Sequence, residues 1–225
     1  MNLNRELKWI CDLLTKNGIK FWIDSGTLLG LVREGRVIEG DHDIDLSMWS
    51  SNEPLLEKIL PAVKNRGYSI SVKSYRGLNF KYKFAPKFKN SSLVIDISLF
   101  RPEGDHAWCP QVYCMPYPFA ANHKGPAYYL RALPRKMIQE IFIRKSKVTV
   151  TNWPWPLSYK IYIVWIPKKY FEETIHLDGN IPAPKNYEDY LAFRYGQWEI
   201  PRDDWFFIFD DGAIKQVSPE TKVQI

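Results

Sequence analysis

Leu3, Leu7, Ile10 and Leu14 recur at the spacing of a helix that buries one face, and Lys16-Asn17-Gly18 supplies its stop. Ile19 to Ile23 follows as a short strand, and Ser25-Gly26-Thr27 as a tight polar bend leading into a short helix through Leu28 and Leu29. After a glycine-rich stretch (Gly30, Gly35, Gly40), Asp43-Ile44-Asp45-Leu46 alternates acidic with apolar residues as a half-buried strand does. Asn52 is a candidate cap, with Pro54 in the first turn, for a helix through Leu55, Leu56, Ile59, Leu60 and Val63 to Gly67. Asn79 to Phe84 alternates strictly with Lys81 and Lys83 on one side, and Leu93 to Phe100 reads as a buried strand interrupted by Asp96 and Ser98. The pattern predicts a mixed α/β fold.

From Pro102 the texture changes: Pro and Trp become frequent, as in Trp153-Pro154-Trp155-Pro156, and strands and their boundaries are harder to read. Asn186 is placed to cap a helix through Tyr187, Tyr190, Leu191 and Tyr195, ended by Gly196, and the tail from Ser218 is polar. Without repeats or linkers, residues 1–225 read as one domain, with a core over roughly 1–101 and a Pro/Trp-rich extension over 102–225.

Composition narrows the function classes. A chain of 225 residues can bury roughly 70% of its unfolded surface, enough for one sizeable core. Its 45% hydrophobic and 25% charged residues exclude disorder and collagen-like repetition. Three cysteines are an odd number and make no disulfide framework, which points to a reducing compartment. Arg5, Glu6 and Lys8 with no apolar stretch behind them do not form a secretory signal, and the run Ile161 to Ile166 is too short to span a bilayer, so a cytoplasmic location is expected. The net charge of +6 and a pI near 9.1 suit a phosphorylated substrate or peripheral contact with an acidic membrane. The basic residues are scattered and match no nucleic-acid-binding signature, so no nucleic acid is expected.

The acidic strand carries the chemistry. On a strand, Asp43 and Asp45 leave the same face about 6.5–7 Å apart at Cα, and ionising both is unfavourable unless a cation lies between them. Hard oxygen ligands of this kind suit Mg²⁺ or Mn²⁺, whose remaining positions go to water and substrate phosphates. Asp96, inside the apolar run Leu93 to Ile97, is a candidate third ligand from a neighbouring strand. A solvated acidic face is the ordinary alternative for an isolated Asp-x-Asp. Asp41 shares the parity of Asp43 and Asp45, as proton acceptor or ligand orienter. Gly26 allows close approach of backbone N–H groups to a phosphate, with the Thr27 hydroxyl as a further donor. Arg33 is a candidate phosphate clamp, and Lys81 and Lys83 are candidates to steer an anionic donor.

These residues carry a family resemblance. Asp24-Ser25-Gly26-Thr27-Leu28-Leu29-Gly30-Leu31-Val32-Arg33, Val37-Ile38 and Asp41-His42-Asp43-Ile44-Asp45 resemble the LicD/fukutin-related family. Val94-Ile95-Asp96-Ile97 is similar to the family's later Asp strand, and Asn186 to Tyr195-Gly196, with Trp198 and Pro201, to its C-terminal Tyr-Gly segment. Between Pro102 and Pro184 nothing is diagnostic. The resemblance implies a polymerase-β-like nucleotidyltransferase fold, with Mg²⁺ or Mn²⁺ on Asp43, Asp45 and Asp96 and donor phosphate near Gly26 and Thr27. It implies transfer of phosphocholine or an alditol phosphate from a CDP-activated donor to a hydroxyl of a glycan or glycolipid precursor, as in lipopolysaccharide or capsule biosynthesis. The chain departs from the family's Pro-Trp-Asp-Asp-Asp, reading Glu39-Gly40-Asp41-His42-Asp43, which leaves the donor headgroup open. Two rival readings are a nucleotidyltransferase leaving NMP on a small acceptor, and a non-catalytic glycan-binding or scaffold module.

His106, Cys109, Cys114 and His123 have zinc-like ligand types within eighteen residues. They are a candidate structural Zn²⁺ set, with chance clustering as the alternative. Cys11 and the tryptophans, Trp153, Trp155 and Trp198 included, read as packing.

Overall fold

The structure is a computed structural model that describes residues 3–75, 77–87, 93–116, 157–178, 180–202, 205 and 207–217. Helix α1 (Leu3–Lys16) buries Leu7, Ile10 and Leu14 along one face, each such side chain contributing about 1.5–3 kcal/mol. It stops where the chain turns through Gly18 at φ 69°, a conformation that a Cβ disfavours. Strand β1 is shorter than the apolar run suggests, Phe21–Ile23, and leads into α2 (Ser25–Glu34). Asp24 caps α2, its side chain accepting the Ser25 N–H, and Gly35 closes it at φ 66°.

Strand β2 (Asp43–Trp49) begins at Asp43, so Asp41 belongs to the preceding turn, its N–H donating to the Ile38 carbonyl. A 3₁₀ turn, Ser50–Asn52, runs straight into α3 (Glu53–Asn65). The Asn52 side chain therefore makes no cap hydrogen bond, because its backbone is already helical at φ −86°, ψ −3°. Strands β3 (Tyr68–Tyr75), β4 (Leu78–Pro86) and β5 (Val94–Glu103) follow.

Beyond Pro102 the chain forms β6 (His106–Pro116) and β7 (Leu157–Pro167), an antiparallel pair in register from His106↔Pro167 to Pro116↔Leu157. A 3₁₀ turn (Lys168–Phe171), the hairpin β8 (Thr174–Leu177) and β9 (Ile181–Pro184), α4 (Tyr187–Tyr195), α5 (Phe207–Asp210) and β10 (Ile214–Val217) complete the described elements. Asn186 makes no side-chain cap, whereas Gly196 does end α4 at φ 68°.

Eight strands form one mixed sheet in the order β1-β2-β5-β6-β7-β10, with β4 also on β5 and β3 on β4. The pair β2–β5 is parallel and the other described pairs are antiparallel. Strand β5 joins the two wings: Val94 to Phe100 pairs with β2, and Arg101 to Glu103 with β6. The core runs from α1 through Ile44, Leu46 and Met48 of β2 and Ile95, Ile97 and Leu99 of β5 to Phe171, which stacks on Trp22 at 4.4 Å. Among the described residues, no helix is long and apolar enough to cross a membrane.

Candidate active site

The parallel pairing of β2 with β5 sets Asp45 opposite Asp96 in register, and Asp43 lies two residues back on the Asp45 face. One carboxylate oxygen from each of the three lies within 4.8 Å of the others. Burial first, and then repulsion from Asp96, raises the Asp43 pKa. Burial pushes Asp45 up to about 7, against the pull of Lys81, with Asp43, Asp96 and Asp24 adding to the rise.

Lys81 and Lys83 compensate in part from β4. Lys81 Nζ is 3.4 Å from Asp96 Oδ2 and Lys83 Nζ 3.6 Å from Oδ1. Asp96 Oδ1 is buried without a hydrogen-bond partner among the described residues. Lys73, across from Lys81 on β3, is lowered to about 8 by burial and by the neighbouring lysine charges. Three converging oxygen donors, two of them resisting ionisation, and a buried carboxylate oxygen without a hydrogen-bond partner fit a hard divalent cation.

The glycines of α2 shape the approach to this cluster. A Cβ on Gly26 would stand 2.8 Å from Asp41 Oδ2 and 4.0 Å from Asp45 Oδ2, so a side chain there would fill the space beside two carboxylates. A Cβ on Gly30 would meet the Arg36 carbonyl at 2.7 Å and the Ile38 nitrogen at 2.8 Å. Gly30 thus lets the loop that carries Asp41 cross directly over the helix. Burial and the Asp43 charge raise the Asp41 pKa.

Thr27 has a different place from the one its hydroxyl suggests. It is fully buried, and its Oγ1 accepts the Asp45 N–H at 2.8 Å. It fixes the backbone beside the carboxylates and does not line the cavity. That cavity has a volume of about 700 Å³ and is lined on one side by Ser25, Gly26, Arg33, Asp41, Asp45 and Lys81. Arg194, Tyr195, Trp198 and Trp205 form part of the other wall. Arg33 donates to the Trp198 carbonyl at 3.4 Å and to Glu34 at 2.8 Å, tying α2 to that wall. Trp198 therefore borders the cavity as well as packing.

No local pattern in the sequence marks the buried group that Asp24 and Arg194 form at the cavity wall. Asp24 Oδ1 accepts from the Ser25 N–H (2.7 Å), the Tyr190 hydroxyl (2.6 Å) and Arg194 Nη1 (3.0 Å), and Oδ2 accepts from the Ser47 hydroxyl (2.6 Å). Arg194, 3% exposed, also grips Asp211 through Nε and Nη2. Burial alone would lower the Arg194 pKa, but Asp211 and then the Tyr190, Tyr195 and Asp24 groups outweigh it and hold it well above its ordinary value. A charge this deep needs such partners. The available signal was chemical: an Arg inside the otherwise apolar-faced Tyr190 to Tyr195 segment, and an Asp ahead of the Ser-Gly-Thr turn.

The candidate zinc set divides. His106 stacks on Trp165 at 5.1 Å. Cys109, three residues along the same strand and so of opposite parity, is buried with its Sγ 3.5 Å from the Phe80 carbonyl. Burial pushes the Cys109 thiol up to about 12. The Cys114 side chain and the whole of His123, like Trp153 and Trp155, lie outside the described residues. Among the described residues, the group of three or more potential metal ligands is Asp43, Asp45 and Asp96.

Residues 18–133, just over half of the chain, match the family model "LicD/FKTN/FKRP, nucleotidyltransferase domain". A 71-residue stretch is 44% identical to uncharacterized protein RP689 of Rickettsia prowazekii (strain Madrid E), covering 32% of this chain and 27% of that protein. A 105-residue stretch is 27% identical to ribitol 5-phosphate transferase FKRP of Mus musculus, covering 44% of this chain and 20% of that protein. The matched stretches thus span about a quarter or less of these relatives' own length. Among solved structures, lincosamide antibiotic adenylyltransferase LnuA with bound lincomycin aligns over 55% of this chain and 66% of that one, at 19% identity and a TM-score of 0.37. ANT(2")-Ia in complex with adenylyl-2"-tobramycin aligns over 67% and 82%, at 17% identity and a TM-score of 0.32. On the extent of the family match, the chain belongs to the LicD/FKTN/FKRP family through its nucleotidyltransferase domain.

Proposed function

We propose that this protein is a divalent-metal-dependent phosphotransferase that moves a phospho-substituent from a CDP-activated donor to a hydroxyl of a glycan or glycolipid precursor. The observation that carries the reading is the meeting of Asp43, Asp45 and Asp96 within 4.8 Å beside a cavity that Asp45 lines. The ribitol 5-phosphate transferase named among the relatives supports an alditol phosphate as the class of group transferred.

Asp43, Asp45 and Asp96 would hold Mg²⁺ or Mn²⁺, which supplies charge neutralisation at donor phosphates. The protein's own residues bind and orient. Gly26 leaves room for a phosphate group against the backbone of α2, and Arg33 and Lys81 add positive charge along the cavity wall. We assign Asp41, which lines the cavity beside Gly26, to the acceptor hydroxyl. In the transfer, the acceptor hydroxyl gives its proton to Asp41 as its oxygen bonds to the phosphorus carrying the alditol or choline group, and the bond from that phosphorus to the CMP oxygen breaks, releasing CMP. Most of the rate enhancement would come from positioning and fixed charge.

Donor labelled in the cytidine moiety, incubated with Mn²⁺ and a glycan acceptor, tests the reading. Free CMP with the phospho-substituent on the acceptor supports it. Release of pyrophosphate from a nucleoside triphosphate, with NMP left on the acceptor, would replace it with nucleotidyl transfer.

A further inference from the structure

Ser25 is one of two described residues other than glycine, with Asp178, whose φ is positive. Its φ of 49° lies in the left-handed region that side chains other than glycine rarely adopt. It occupies the first position of α2, directly after the cap Asp24. Two contacts hold it there: its N–H donates to Asp24 Oδ1 at 2.7 Å, and its Oγ accepts from Arg194 Nη1 at 2.9 Å.

The same Nη1 donates to Asp24 Oδ1 at 3.0 Å and to the Tyr190 hydroxyl at 3.2 Å. The far side of the guanidinium, Nε and Nη2, is taken by Asp211. Arg194 therefore faces protein acceptors around its fork. It lines the cavity, but its donors are engaged in fixing other groups.

The consequence for Ser25 is chemical. A hydroxyl has one hydrogen and two acceptor positions. With a cationic N–H directed at the oxygen, the hydroxyl hydrogen turns away from Arg194, and Ser25 lines the cavity. A charged donor on the oxygen also polarises the O–H bond and strengthens what it donates. Thr27, two residues on, has its oxygen committed to the Asp45 N–H.

We infer that Ser25 is the side-chain hydroxyl that donates to a phosphate oxygen of the nucleotide donor, and that Arg194 is the positioning residue that sets it. This rests on the donor reading above and adds to it a residue pair 169 positions apart in sequence.

The test is calorimetric titration of the full chain with CDP in the presence of Mn²⁺, alongside Mn²⁺ affinity and melting temperature. Ser25→Ala is expected to weaken CDP binding roughly tenfold, the range for one hydrogen bond to a charged group, with Mn²⁺ affinity unchanged. Arg194→Lys keeps the charge but loses the fork, and is expected to weaken CDP binding by a similar factor. In the Ser25→Ala background the same change is expected to add less than about twofold, because the two act through one hydroxyl. Ser25→Ala leaves the Arg194–Asp24 pair intact and carries the test alone if Arg194→Lys does not fold. Wild-type binding of CDP with a Ser25→Ala affinity within about twofold of it overturns the inference and leaves the donor reading standing, as do penalties that simply multiply. Failure of wild-type protein to bind CDP with Mn²⁺ overturns both.

Discussion

Asp45 and Asp96 are direct register partners across the parallel β2–β5 pair, two carboxylates facing each other on adjacent strands of one sheet. A slip of one residue in that register would turn Asp96 to the opposite face and leave Ile95 or Ile97 beside Asp45. The apolar residues on either side of both aspartates enforce the pairing, since Ile44, Leu46, Ile95 and Ile97 are all essentially inaccessible to solvent. Core packing and site assembly are thus one constraint.

Replacing Asp45 with Asn removes one oxygen donor and one like charge. Mn²⁺ affinity is expected to fall about 100-fold, the upper end for disturbing a metal centre, while metal-free protein melts at the same or a higher temperature. Melting curves with and without Mn²⁺ read both effects. Unchanged metal binding would remove Asp45 from the proposed ligands.

Stability without metal should depend on pH in a defined direction. The Asp45 carboxyl is held at about 7, above its value of about 3.9 in an unfolded chain. Between those values the folded state binds more protons than the unfolded state. Metal-free stability is therefore greatest below about pH 4 as far as this group is concerned, and declines as pH rises towards 7. Asp43 and Asp41 are raised too and act in the same sense. Melting temperatures of chelator-treated protein from pH 5 to about 8 should show the decline, and Asp45→Asn should flatten it.

The two glycines of α2 should separate stability from function. Gly30→Ala drives a Cβ into the backbone of Arg36 and Ile38, which cannot swing aside, and is expected to cost about 1–3 kcal/mol. Gly26→Ala meets chiefly the end of the Asp41 side chain, which can move. It should fold normally while turnover drops roughly tenfold or more, through displaced groups at the reacting centre. Denaturant midpoints and initial rates for both variants check the contrast.

Thr27 offers a test of its buried role. Thr27→Val removes the acceptor for the Asp45 N–H, leaving a buried donor unpaired at a cost of about 1–3 kcal/mol. Thr27→Ser keeps the oxygen and should retain most of the stability. If Thr27→Val instead melts like wild type and raises only the donor KM, Thr27 meets the substrate after all.

The thiols make a simple accessibility test. Cys11 and Cys109 are buried, and burial pushes each up to about 12. Of the three cysteines in the chain, at most one is therefore expected to react with a disulfide reagent under native conditions, and all three in guanidinium. Rapid labelling of two or more in the native state would contradict the burial of Cys11 or of Cys109.

What the sequence revealed was local. The periodicity of Leu7, Ile10 and Leu14, the alternation around Lys81 and Lys83, and acidic residues in apolar strands are patterns a few residues long, set by which face meets water. The caps at Asn52 and Asn186 read plausibly, but neither side chain makes the cap hydrogen bond: the Asn52 backbone is already helical, and Asn186 sits at φ −96°, ψ 51°, away from the extended conformation of a cap. Strands β6 and β7 were hidden because prolines, which donate nothing to a ladder, sit inside or at the end of both (Pro110, Pro116 and Pro167), and their pairing is tertiary information. The Asp24–Arg194 pair was beyond local pattern altogether, since its two ends are 170 residues apart. Which way Thr27 points depends on β2 arriving beside α2, and no spacing rule encodes that.

The reach of that pair has a consequence for synthesis. Asp24 leaves the ribosome long before its guanidinium counterpart, so until residue 194 emerges its carboxylate lacks the cation that accompanies it into the interior. A nascent chain that ends before residue 194 should keep the start of α2 hydrated and open, so that the cavity wall around Ser25 is completed only once Arg194 has emerged.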